Sequence, residues 1–142
     1  MGLLLDTNIL SELRKGKKAD QHVRQWAQTI AHTPQYISVL SLGEINKSIG
    51  IIHRKDPTQA QMLQEWLNGI EIRYADCLLP VCTQVSKVWG QLQSQRSLPV
   101  IDGLLAATAQ VHHLSIATRN SIDFKDLGVA VVNPFDPVNP IF

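Results

Sequence analysis

Apolar residues recur along this chain with helical spacing in several stretches. Val23, Trp26, Ala27 and Ile30 fall at i, i+3, i+4 and i+7, the stripe of an amphipathic helix. Leu42, Ile45, Ile49 and Ile52 repeat the pattern after Ser41, which reads as the cap of that helix. Asp56-Pro57 opens a third helix, with Pro57 suited to the first helical position and Met62, Leu63, Trp66, Leu67 and Ile70 as its stripe. Val85, Val88, Trp89 and Leu92 mark a fourth. Residues 104–111 are apolar or alanine on nearly every side, which predicts a buried helix. Between these lie short apolar runs at 3–5, 36–40, 78–81, 114–117 and 129–132, with the length and composition of strands.

Short apolar runs alternating with helices predict an α/β fold, a three-layer α/β/α arrangement around a central, mostly parallel sheet of about five strands. Right-handed crossovers leave few topologies. The simplest is a doubly wound sheet in which the chain moves outward from the first strand and later returns to its other side. Ligands in such sheets sit beyond the carboxyl ends of the strands, at the switch point. No repeat or linker divides the 142 residues, so the expectation is one domain over 1–142.

Composition narrows the function classes. Thirteen Lys+Arg against twelve Asp+Glu give a net charge of +1, and 44% of residues are hydrophobic. Disorder, a disulfide scaffold and nucleic-acid binding through a global basic field are excluded. The opening Leu3-Leu4-Leu5 run stops at Asp6, too short for a signal peptide or a membrane span. Cys77 and Cys82 have no metal-ligand spacing and read as buried small apolar side chains in a reducing, cytoplasmic setting.

The acids then stand out by position. Asp6 ends the first strand, and Asn120 and Asp123 follow the strand at 114–117, so the two groups face each other if those strands flank the switch point. Asp102 begins the buried helix, and Glu44 lies on the flank of its own helix's apolar stripe. Each has a plainer use: Asp6 as the cap of a helix at 8–14, Asp102 as the cap of a helix at 103–113, Asn120 or Ser121 as the cap of a final turn, and Glu44 as a solvated helix residue. Together they would require four coincidences at the one place where this architecture binds ligands. Two like charges ~5 Å apart at an effective dielectric of about 20 repel by about 3 kcal/mol. Such a cluster takes up protons or binds cations. Carboxylates without His or Cys select hard ions, Mg²⁺ or Mn²⁺, which suit phosphodiester hydrolysis.

The chain resembles PIN-domain ribonucleases, and more narrowly the VapC-type toxins of bacterial toxin–antitoxin pairs. The matching residues are Leu4-Leu5-Asp6-Thr7-Asn8, residues 38–44 with Glu44, Leu79-Pro80-Val81, Val88-Trp89-Gly90, residues 98–109 around Asp102, Ala117-Thr118-Arg119-Asn120 and Asn133-Pro134-Phe135. The resemblance implies a PIN-like fold and a metal-dependent endoribonuclease acting as a toxin. It implies Asp6, Glu44 and Asp102 as the acidic metal-binding core for Mg²⁺ or Mn²⁺. Where the family often carries a further acid this chain has Asn120, with Asp123 three residues on as a substitute, which completes a candidate catalytic set of Asp6, Glu44, Asp102, Asn120 and Asp123. Thr7, Asn8 and Thr118 look like residues that orient the carboxylates. Further implications are a homodimer, an RNA substrate and a cognate antitoxin whose peptide tail blocks the crevice. The alternative is a PIN-like interaction module whose metal site has decayed, retained to bind a partner protein.

Other features point less sharply. Arg14-Lys15-Gly16-Lys17-Lys18 is the one dense basic patch, either a grip on RNA phosphates beside the metal site or a solvated loop. Trp26, Trp66 and Trp89 lie on apolar stripes and read as core or dimer contacts. No HExxH-like spacing supports zinc, and Asn8 stands where a haloacid-dehalogenase-like phosphatase would need its second Asp.

Overall fold

The computed structural model describes residues 2–137. Five strands, β1 (Leu3–Leu5), β2 (Gln35–Ser38), β3 (Leu78–Leu79), β4 (Ser115–Ala117) and β5 (Val131–Val132), form one sheet in the order β3-β2-β1-β4-β5. All four pairings are parallel. The helices are α1 (Thr7–Arg14), α2 (Gln21–Thr29), α3 (Val39–His53), α4 (Pro57–Arg73), α5 (Thr83–Gln95) and α6 (Val100–His112). The chain steps from β1 to β2 to β3 and then returns to the other side of β1 for β4, so the switch point lies between β1 and β4.

The three leucines of β1 explain why the sheet is covered twice. Successive strand side chains point to opposite faces. Leu4 joins the core beneath α5 and α6 with Leu105, Ala106 and Ile116, while Leu3 and Leu5 join Ile9, Leu10, Trp26 and Ile30 on the face of α1 and α2. A central parallel strand buried on both faces has no room for a polar residue until it ends, and this one ends at Asp6.

Several local expectations shift. The second strand stops at Ser38 instead of residue 40, because the Ser38 hydroxyl accepts the Leu40 N–H at 3.0 Å and starts α3 there. Ser41 is therefore buried inside the first turn and is not the cap. α6 begins at Val100 behind Pro99, so Asp102 sits within its first turn and does not cap it. The runs at 78–81 and 129–132 shorten to two paired residues each. Pro80 lacks the N–H that would extend the former. Cys82 is exposed at the start of α5 and Cys77 is half-buried, both free thiols, so neither is the fully buried apolar side chain expected. No helix among the described residues is long and apolar enough to cross a membrane.

Candidate active site

Asp6 is the residue at which β1 becomes α1. Its backbone N–H still donates to the Ala117 carbonyl at 2.9 Å, continuing the β1–β4 ladder, while its carboxylate accepts the Thr7 N–H at 2.7 Å and caps the helix. The capping role and the site role thus belong to the same side chain. Only 7% of Asp6 is exposed. Its second oxygen accepts from the fully buried Thr118 hydroxyl at 2.8 Å and from Asn8 Nδ2 at 3.4 Å.

Thr118 organises the other strand end. Its N–H donates to the Val132 carbonyl at 3.0 Å, which fixes it to β5. With its hydroxyl proton given to Asp6, its oxygen accepts from Asn8 Nδ2 at 3.3 Å and from the Asn120 N–H at 3.1 Å. Asn8 Oδ1 accepts the Arg119 N–H at 3.1 Å, so both ends of the Asn8 amide bridge the Asp6 turn to the turn after β4.

Glu44 enters from α3. The Thr7 hydroxyl donates to Glu44 Oε1 at 2.6 Å and lies 2.9 Å from Ser41 Oγ, which ties the first turns of α1 and α3 together. The half-buried Asp102 enters from the first turn of α6, on the opposite face of the sheet from α1.

Burial pushes the Asp6 carboxyl above its ordinary value, against the pull of the Thr118 hydroxyl and the Thr7 amide. Asp102 is raised too, first by burial and then by the negative charges of Asp6, Asp123 and Glu44. Four acids from four separate segments therefore share one electrostatic neighbourhood. Asp123 belongs to it by charge although its side chain is exposed. Asn120 starts the short 3₁₀ turn Ser121–Phe124 and contributes its backbone, donating to Thr118 and accepting the Asp123 N–H at 3.0 Å; its side chain makes no capping bond.

The donor set is all oxygen, and no cation pairs with Asp6 or Asp102 among the described residues. In donor type and charge it suits a hard divalent ion. In spacing it is open: among the described residues no group of three or more His, Cys, Asp or Glu side chains is drawn together closely enough to hold a metal as it stands. Beside Thr7 and Glu44 a groove of about 870 Å³ runs on between α3 and α4, floored by Leu40, Ile45 and Leu63 and flanked by Lys47 and Trp66.

The sequence profile of the PIN domain matches residues 3–130. The chain belongs to the PIN-domain family. Among its relatives, it is 28% identical to Toxin FitB of Neisseria gonorrhoeae over 94% of this chain and 98% of that one. It is likewise 28% identical to the VapC ribonuclease Y4jK of Sinorhizobium fredii over 95% and 99%. Solved structures agree: FitAcB from N. gonorrhoeae superposes with a TM-score of 0.83 at 28% identity, covering 94% of this chain and 98% of that one. DNA-bound VapBC from Salmonella typhimurium shares the fold at a TM-score of 0.73 and 20% identity, over 94% and 98%. The PIN-like three-layer α/β/α arrangement expected from the sequence is thus the observed one.

The sequence marked Ser41 only as a helix cap, and Asn133 and Phe135 only through the motif they share with the family. Each acts through a contact with a distant segment: Ser41 with Thr7, Asn133 and Phe135 with Arg119. The basic patch needs relocation. α1 is capped by Asp6 and carries Lys15 about 13 Å away at 1.5 Å per residue, and Lys15 pairs with Glu12 at 3.0 Å. The patch lies at the far end of α1 from the carboxylates, not beside them.

Proposed function

We propose that this protein is a divalent-metal-dependent endoribonuclease that hydrolyses phosphodiester bonds in RNA and acts as the toxin of a toxin–antitoxin pair, the whole chain forming one PIN domain. The observation that carries this reading is that Asp6, which ends β1 at the sheet's switch point, shares one electrostatic neighbourhood with Glu44, Asp102 and Asp123, where burial and mutual repulsion raise Asp102. The family match and relatives named VapC ribonuclease and Toxin FitB support it.

Asp6, Glu44 and Asp102 are the residues that would hold Mg²⁺ or Mn²⁺, with Asp123 at the rim. When bound, such an ion supplies Lewis-acid stabilisation of phosphate charge and lowers the pKa of water. The protein's own part is orientation. Thr118 and Asn8 keep one Asp6 oxygen directed by hydrogen bonds while the Thr7 N–H holds the other, so the carboxylate has one rotamer. The Thr7 hydroxyl does the same for Glu44. The leucines and alanines below Asp6 and Asp102 keep water from beneath the carboxylates and strengthen every charge interaction above them.

The toxin reading brings partners: a cognate antitoxin with a segment that covers the crevice, and a second copy of this chain. The groove that opens on Glu44 offers such a segment an apolar floor. Names of structural neighbours such as the VapBC and FitAB complexes support the antitoxin.

The deciding experiment compares wild type with Asp6→Asn and Asp102→Asn on RNA in Mn²⁺. Both variants should fold and lose cleavage and toxicity. Full activity in either would remove the assignment. A wild type that cuts no RNA but binds a partner protein would favour the interaction module.

A further inference from the structure

One cation is tied through its backbone to the Asp6 turn. Arg119 follows Thr118 at the end of β4 and is exposed. Its N–H is held by Asn8 Oδ1 at 3.1 Å and its carbonyl accepts from Asn133 Nδ2 at 3.4 Å, so its backbone is clamped between the Asp6 turn and the segment after β5. Its guanidinium carbon lies 4.7 Å from the centroid of the Phe135 ring. Phe135 is itself fixed, its N–H donating to Asn133 Oδ1 at 3.0 Å and its ring packed against the core on the α1–α2 face.

Lys47 flanks the α3–α4 groove beside Glu44, and three further cations are engaged elsewhere. Arg96 gives its guanidinium to the carbonyls of Lys125 at 3.1 Å and Asp123 at 3.0 Å. Arg14 lies over Trp66, and Lys15 pairs with Glu12. Arg119 is different: its guanidinium carbon lies over the Phe135 ring, and among the described residues no carboxylate pairs with it. A planar fork of donors with no carboxylate partner among the described residues matches the geometry of a phosphate. A crevice lined by four acids repels a polyanion, so a strand entering it needs a positive point at the edge.

We infer that Arg119, stacked on Phe135, is a phosphate anchor that grips the RNA backbone beside the bond to be cut. This rests on the nuclease reading above. The positioning differs from a loose surface charge because the chain of contacts Phe135, Arg119, Asn8 and Asp6 sets where the guanidinium stands relative to the carboxylates.

The test separates binding from cleavage. A labelled single-stranded RNA oligonucleotide is titrated, in EDTA, against an Asp102→Asn parent and against the same chain carrying Arg119→Gln, Arg119→Lys or Phe135→Leu. Thermal midpoints check folding, and cleavage by wild type in Mn²⁺ is followed in parallel. Arg119→Gln should weaken binding roughly tenfold and flatten the slope of log K against log salt by about 0.7, the value for one phosphate contact on a single strand. Arg119→Lys and Phe135→Leu should keep the parent's slope but bind more weakly, since charge remains and the oriented fork is lost. Parent-like affinity and slope in a folded Arg119→Gln, with wild type still cutting RNA, would overturn the anchor alone. Parent-like affinity in Arg119→Lys would do the same should the glutamine variant fold poorly. A parent that binds no RNA, together with a wild type that cuts none, would overturn both the anchor and the nuclease reading.

Discussion

Asp102 destabilises the folded chain at neutral pH. Its carboxyl is raised above its ordinary value of 3.8, so between that value and the folded one the native state holds more protons than the unfolded chain. Stability therefore falls as pH rises through this interval and stays reduced above it. An acid in a helix's first turn recovers about 0.3–1 kcal/mol from the helix dipole, which works against this loss. Asp102→Asn should melt about 2 °C above wild type at pH 7, with the difference vanishing at pH 3 to 4; thermal scans across pH check this. A lower midpoint at pH 7 would mean that Asp102 is favourably placed without a cation. The location of Asp6, Glu44 and Asp102 was legible in the sequence, because strand ends and helix starts at a switch point follow from the order of elements. What Thr7, Asn8 and Thr118 do was legible only as a role. Their partners are set by side-chain reach across the turns, and no periodicity encodes that. The stacking of Arg119 was hidden for the same reason, since Phe135 returns to it after a further strand.

At the scale of elements, the contact between α5 and α6 depends on a missing side chain. A Cβ on Gly103 would sit 3.0 Å from Gln93 Nε2 and 3.0 Å from Trp89 Cδ1. Gln93 is not free to move, because its amide donates to the Leu98 carbonyl at 3.0 Å and accepts the Leu98 N–H at 3.1 Å, closing the loop between the two helices. Gly103→Ala should cost about 1–3 kcal/mol in urea denaturation, overpacking outweighing the better helix propensity of alanine. An unchanged midpoint would show that the Trp89 side retreats without loss. Helix positions were readable from stripes such as Val85, Val88 and Leu92, because an apolar face repeats along a helix. Boundaries were less readable. Ser38 and Ser41 are both sound caps by residue type, and the choice fell to Ser38 because Leu40 supplies its N–H at the place where β2 runs out of partners.

For the molecule as a whole, a cation that binds the folded chain and not the unfolded one raises the midpoint by mass action. At about 100 times its dissociation constant it adds about 2.7 kcal/mol. Mn²⁺ should therefore raise the thermal midpoint of wild type, EDTA should reverse it, and Asp6→Asn should abolish it. A flat titration at millimolar Mn²⁺ would count against a working metal centre. The near-neutral total charge excluded binding through a global field and left open a local one.

The strand order also sets when the centre can exist. β1 is made before β2, β3 and β4, yet β1 and β4 are neighbours in the middle of the sheet. Until Thr118 and Asp123 have been made, Asp6 has no hydroxyl to orient it and Asp102 lacks one of its acidic companions. At about 5–20 residues per second, the interval between Asp6 and Asp123 lasts many seconds. Throughout it the nascent chain carries an incomplete carboxylate cluster, which closes only once the turn after β4 has been made.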